Sequence, residues 1–98
     1  MGNNINAVVR MSVCSQYGNS LSVYLNKEAM NVLDSNDIIF DQTELKIKIP
    51  TLDQIPTHHI SKSTRSFAFG TKDGNAKDFA GMYTIEQEED DFYLTKFN

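Results

Sequence analysis

The sequence predicts a mostly β fold with one or two short helices, and three observations carry that expectation. Apolar and polar side chains alternate with period two along several stretches, the spacing of strands with one buried face. Gly, Asn, Asp and Pro fall between those stretches, where the chain has to reverse. A single short segment near residue 30 carries apolar residues on one helical face behind a capping side chain. At 98 residues with 40% apolar composition, the chain forms one domain, near the lower limit at which a single core sustains a fold. A dimer interface is the natural supplement to so small a core.

Ile5, Ala7, Val9, Met11 and Val13 alternate with Asn6, Val8, Arg10 and Ser12, which predicts a first strand. Ser15-Gln16-Tyr17-Gly18-Asn19-Ser20 breaks it, Gly-Asn offering the positive φ of a tight turn. Leu21, Val23 and Leu25 alternate with Ser22 and Tyr24 in a second strand. Asn26 is a good N-cap, because its side-chain oxygen accepts from an otherwise unsatisfied first-turn N–H. Glu28 suits the positive end of the helix that follows, and Ala29, Met30 and Leu33 share one face of it. Asp34-Ser35-Asn36-Asp37 ends that helix, and Ile38-Ile39-Phe40 is a short buried strand. After a turn at Asp41-Gln42-Thr43, Leu45, Ile47 and Ile49 alternate with Lys46 and Lys48 until Pro50, which cannot donate to a ladder. Residues 51–64, with Pro56 and many hydroxyls, read as a connecting loop. Phe67 and Phe69 mark a strand, residues 70–81 a long turn region, and 82–87 with 92–97 a hairpin. The organisation is a β-β-α-β-β unit over 5–50, the loop, and a C-terminal β meander over 65–98 packing on the same domain.

Cys14 is the one cysteine and cannot pair internally, whereas small secreted domains usually depend on several disulfides. Residues 1–6 are polar and uncharged, unlike a signal peptide, and no apolar run reaches membrane-spanning length. The expectation is a soluble cytoplasmic protein with no membrane partner. The net charge of −4 is unevenly placed, with Glu86, Glu88, Glu89, Asp90 and Asp91 against only Lys96 in the last stretch. Binding nucleic acid by bulk electrostatics requires the opposite balance, but a local basic face suffices.

Tyr17-Gly18-Asn19-Ser20-Leu21, Val23-Tyr24-Leu25-Asn26-Lys27-Glu28-Ala29-Met30, Leu33, Asp37-Ile38 and Leu45-Lys46-Ile47-Lys48-Ile49-Pro50 stand in the order and spacing of a known pattern. Over residues 5–50 the chain resembles the swapped-hairpin domain of the AbrB and MazE family. The resemblance implies a homodimer whose strands interleave into one barrel-like body. It implies binding to a partly symmetric DNA operator as a transcriptional regulator or antitoxin, with a C-terminal extension that covers a toxin partner. In that reading Arg10, Lys27, Lys46 and Lys48 face DNA. Glu88, Glu89, Asp90, Asp91, Phe92 and Tyr93 face a protein partner, by composition rather than by any aligned motif. Three departures stand out: the family usually has Pro where this chain has Asn26, commonly has Arg where it has Tyr24, and has a longer loop before the last strand. So thin a basic surface implies weak, salt-sensitive DNA binding, or a domain that has given it up.

The remaining candidates weigh toward structural roles. Arg10 is equally an ordinary solvated arginine, and Gly18-Asn19-Ser20 is a turn before it is a phosphate contact. His58 and His59 point to opposite sides of an extended chain and cannot easily share a metal ion, and no ligand spacing accompanies them. Cys14 has no base nearby to make it a nucleophile. Residues 70–77 lack the ending and the strand-to-helix context of a phosphate loop. Lys62, Arg65, Lys72 and Lys77 make 62–77 the most basic segment. That segment is a second nucleic-acid contact or, slightly favoured, the intramolecular counterpart of the acidic end. No metal, cofactor or convergent catalytic set is expected, so an enzyme is the least favoured class. The competing function is a small acidic inhibitor, phage- or plasmid-borne, that blocks a host nucleic-acid-handling protein without binding DNA.

Overall fold

The computed structural model describes residues 6–14, 19–71 and 76–98. Its elements are β1 (Val8–Val13), β2 (Ser20–Leu25), α1 (Lys27–Leu33), β3 (Asp37–Asp41), β4 (Lys46–Lys48), β5 (His58–His59), β6 (Ser66–Gly70), α2 (Ala76–Phe79), β7 (Gly81–Glu88) and β8 (Asp91–Lys96). The fold is mostly β with two short helices, and its strands form one antiparallel sheet in the order β5-β3-β4-β8-β7-β1-β2-β6. The sheet curls into a nearly closed barrel. The two ends of that order, β5 and β6, are joined by the turn at 60–65, where Ser61 N–H donates to the Ser66 carbonyl at 2.9 Å.

Alternation decides which side chains enter the barrel. Val9 and Met11, Leu21, Val23 and Leu25, Ile38 and Phe40, Ile47, Phe67 and Phe69, Tyr83 and Ile85, and Phe92 and Leu94 all turn inward. The C-terminal hairpin inserts between the first two: β7 pairs with β1, and β8 pairs with β4. Val9, Leu21, Val23, Leu25 and Ile47 are thereby fully buried within one chain, so their burial does not call on a second copy. Helix α1 adds Ala29 and Leu33 to the core beside Leu25. Helix α2 sits by the other end of the β1–β2 hairpin. There Phe79 meets Phe69 edge-on at 5.5 Å, and its carbonyl accepts the buried Tyr83 hydroxyl at 2.6 Å. Gly81 opens β7 at φ 146°, where an added Cβ would strike the Asn98 carbonyl, so this glycine is required.

Several boundaries differ from the sequence reading. Strand β1 begins at Val8, and Ile5 and the turn residues Ser15, Gln16, Tyr17 and Gly18 lie outside the described residues. Leu45 is not in β4: it closes a turn at φ 53°, after Asp41 Oδ1 has accepted the Thr43 and Glu44 N–H groups. The 51–64 loop contains β5, because the free edge of β3 needs partners: Thr57 N–H donates to the Ile38 carbonyl at 2.9 Å and Ile60 N–H to that of Asn36 at 2.7 Å. The turn region 70–81 contains α2, while Asp73-Gly74 lies outside the described residues.

Asn26 fastens α1 to β1. Its Oδ1 accepts Ala29 N–H at 2.9 Å as an N-cap and Val8 N–H at 3.1 Å, and its Nδ2 donates to the Asn6 carbonyl at 2.7 Å. Its own backbone N–H donates to the Val8 carbonyl at 3.1 Å. A proline in this place would lack every one of these groups. Asn26→Ala is expected to lower the unfolding free energy by about 2 kcal/mol, as a lost cap plus an orphaned strand donor, measured by urea denaturation.

His58 lies against Phe67 and Phe40, with ring centroids 5.1 and 5.9 Å away, and its Nδ1 is 2.8 Å from the Thr57 hydroxyl. Burial among the aromatic rings lowers its pKa from 6.5. The neutral ring is thus favoured in the folded state, and its stabilisation is complete above the ordinary value and lost as pH falls below it. The urea midpoint of the protein should therefore decline more steeply between pH 7 and 5.5 than that of His58→Gln. Equal slopes would assign the acid sensitivity to other groups.

Candidate nucleic-acid interface

On the barrel exterior, the same alternation puts Val8, Arg10 and Ser12 of β1 beside Ser22 and Tyr24 of β2. The register sets Arg10 directly between Tyr24 on one neighbour and Met82 on the other. The Arg10 guanidinium lies 5.3 Å from the centre of the Tyr24 ring. From the turn that leads into β6 on the other side, Arg65 approaches the same ring at 5.6 Å and donates from Nη2 to the Tyr24 hydroxyl at 2.8 Å. Two cations thus share one aromatic side chain, an attraction worth about 0.5–1 kcal/mol each at a surface. Arg65 thus brings a second guanidinium to Tyr24 from across the sheet.

Arg65 is held by its backbone. It sits at φ 53°, its N–H donates to the Ser61 carbonyl at 2.7 Å, and its carbonyl accepts Leu25 N–H at 2.9 Å. Its Nε is shielded from solvent without a hydrogen-bond partner. Among the described residues the ion pairs are Lys46–Asp91 at 3.9 Å and His59–Asp37 at 2.8 Å, so neither arginine is neutralised by a carboxylate. Val8, Arg10, Tyr24, Asn26 and Met82 line a groove of about 270 Å³.

Charge is segregated around the barrel. The outward residues of β1, β2 and β6 and the first part of β7 include no carboxylate: Val8, Arg10, Ser12, Ser22, Tyr24, Ser66, Ala68, Met82 and Thr84. The far side is mixed, with Asp41, Lys46, Tyr93 and Glu86 in one row across the strands and Lys48, Asp91 and Glu88 in the next.

The sequence-predicted residues are therefore divided. Arg10 is in the groove, and Lys27 is exposed directly after Asn26. Lys46 and Lys48 stand on β4, with β8 and β7 between them and β1, among carboxylates. Glu88, Glu89 and Asp90 are exposed at the β7–β8 turn, Asp91 is half-buried, Phe92 points into the core, and Tyr93 lies on the mixed face. Among the described residues the basic segment makes no ion pair with the acidic end: the pairs are Lys46–Asp91 and His59–Asp37, and β1 and β2 separate β6 from β7. Sequence alternation cannot show which strand becomes a neighbour. Lys72 lies outside the described residues. Cys14 is exposed, its Sγ 3.6 Å from the Ser20 hydroxyl. Asn19 ties β2 to β6, its carbonyl accepting Thr71 N–H at 2.8 Å, and Gly18 lies outside the described residues. His58 faces the aromatic cluster, while His59 is exposed with Asp37. Among the described residues no group of three His, Cys, Asp or Glu side chains could hold a metal ion, and no helix is long and apolar enough to cross a membrane.

A second hollow of about 430 Å³ adjoins the acidic turn, lined by Lys48, Ile49, Thr51, Gln87, Asp90 and Phe92. Leu52 and Ile55 are exposed in the segment after Thr51, whose hydroxyl donates to Asp53 at 2.6 Å. That bond holds the Asp53 carboxyl below its usual pKa.

Comparison of the chain with protein-family models, with curated proteins and with solved structures finds no match. Tyr24→Phe, which keeps the ring and removes the acceptor of Arg65, should lower the unfolding free energy by about 1 kcal/mol in urea denaturation.

Proposed function

We propose that the protein is a nucleic-acid-binding regulator or antitoxin of the AbrB/MazE kind that uses the outer face of β7, β1, β2 and β6. The observation that supports this reading is the pair of arginines, Arg10 and Arg65, gathered on Tyr24 without a carboxylate partner among the described residues. Guanidinium groups presented with an aromatic ring on a sheet surface suit phosphate and base together. The chain is acidic as a whole, so affinity is modest and falls steeply with salt. The homodimer implied by the family resemblance would double the cations of this face.

Asp90 of the acidic turn lines the second hollow with Ile49, Thr51 and Phe92, a surface that combines charge with apolar area and suits a protein partner. A second reading draws on the same surface: a small inhibitor that presents Glu88, Glu89 and Asp90 to a basic protein and leaves nucleic acid alone. Titration of labelled oligonucleotides across a salt series separates the two. The nucleic-acid reading expects binding at low salt, weakened in Arg10→Gln with the salt slope reduced by about one. Absence of binding to any nucleic acid at low salt would leave the inhibitor reading standing.

A further inference from the structure

The groove on this face is built for something smaller than a duplex. Its volume of about 270 Å³ lies just under the range of drug-sized ligand pockets. Val8 and Met82 supply apolar wall, and Tyr24 supplies an aromatic one. Phosphate has no use for apolar wall, and a paired base keeps its faces stacked inside the helix. Duplex readers usually enter the major groove with a helix or a two-stranded ribbon. Here α1 has only seven residues and packs Ala29 and Leu33 into the core, and the β7–β8 ribbon ends in carboxylates that phosphate repels.

The polar groups of the groove are donors. Asn26 Oδ1 is taken twice, by Val8 and Ala29 N–H, which fixes the orientation of the amide. Its Nδ2 is a donor, giving one hydrogen to the Asn6 carbonyl, and the residue lines the groove. Arg10 adds a guanidinium that has no carboxylate partner among the described residues. A wall of donors favours a base whose edges carry acceptors and disfavours an exocyclic amine.

We propose, resting on the nucleic-acid reading above, that this groove takes one unpaired thymine or uracil of a single strand. The base packs between Val8, Met82 and Tyr24, Asn26 Nδ2 donates to a ring carbonyl, and the Arg10 guanidinium holds the adjoining phosphate. Thymine and uracil carry two ring carbonyls, whereas adenine sets an amine beside its ring nitrogen and meets donor with donor.

The test measures fluorescence anisotropy of labelled dT12, dA12 and their duplex with the full chain at low salt. The proposal expects dT12 to bind about tenfold tighter than dA12 or the duplex. Met82→Glu should abolish that preference by filling the groove with a like charge, and Arg10→Gln, at an exposed position, should weaken dT12 binding without unfolding the chain. Thermal melts establish that each variant is folded. Duplex binding equal to or tighter than that of dT12 overturns this inference and leaves the nucleic-acid reading in place. Failure of all three to bind overturns both. Preference for dT12 that survives in both folded variants moves the site away from this groove and overturns the inference as well.

Discussion

Insertion of the β7–β8 hairpin between β1 and β4 is the constraint on which the molecule depends. The β1–β2 and β3–β4 hairpins each have one apolar face, and neither can hide it alone. The third hairpin contributes two ladders, Val8↔Thr84 through Met11↔Gly81 and Lys46↔Tyr93 through Lys48↔Asp91, which turn separate ribbons into one curved sheet. Those pairings join residues far apart in sequence, so loop-closure entropy must be overcome before burial rewards them. Tyr83, Ile85, Phe92 and Leu94 then complete the interior.

The same insertion sorts the exterior. Because the hairpin enters with its acidic turn toward β4, the carboxylates gather with Lys46 and Lys48, and the outer surface of β1 and β2 is left to Arg10, Tyr24 and Arg65. A chain with an overall charge of −4 thus keeps a local face whose described outward strand residues include no carboxylate. Net charge describes solubility and long-range encounter, while a site responds to the charges within about a Debye length of 8 Å.

What could be read from sequence followed from local rules. The alternation of Val9, Met11, Leu21, Val23 and Leu25 already states which side chains go inward, and Asn26 announces the start of α1. Lys46 and Lys48 were legible as outward residues of one strand. Their distance from Arg10 was not, because strand order is a property of pairing and leaves no mark in either segment. Arg65 was visible only as one member of a basic run; its contact with Tyr24 spans 41 positions and follows from the β2–β6 ladder. Phe92 looked like part of the acidic end by composition, yet its parity along β8 sends it into the barrel. Helix α2, at four residues, is too short to carry a periodic signal.

Arg65 has two attachments with different consequences. Its peptide groups fasten the turn that brings β5 and β6 together, and its side chain reaches out to the aromatic ring beside the groove. A molecule that settles against that ring therefore also leans on the seam of the barrel. Occupancy on the outside and breathing of the seam become two sides of one equilibrium: whatever steadies the guanidinium makes the staves harder to part, and whatever parts the staves loosens the grip on the occupant.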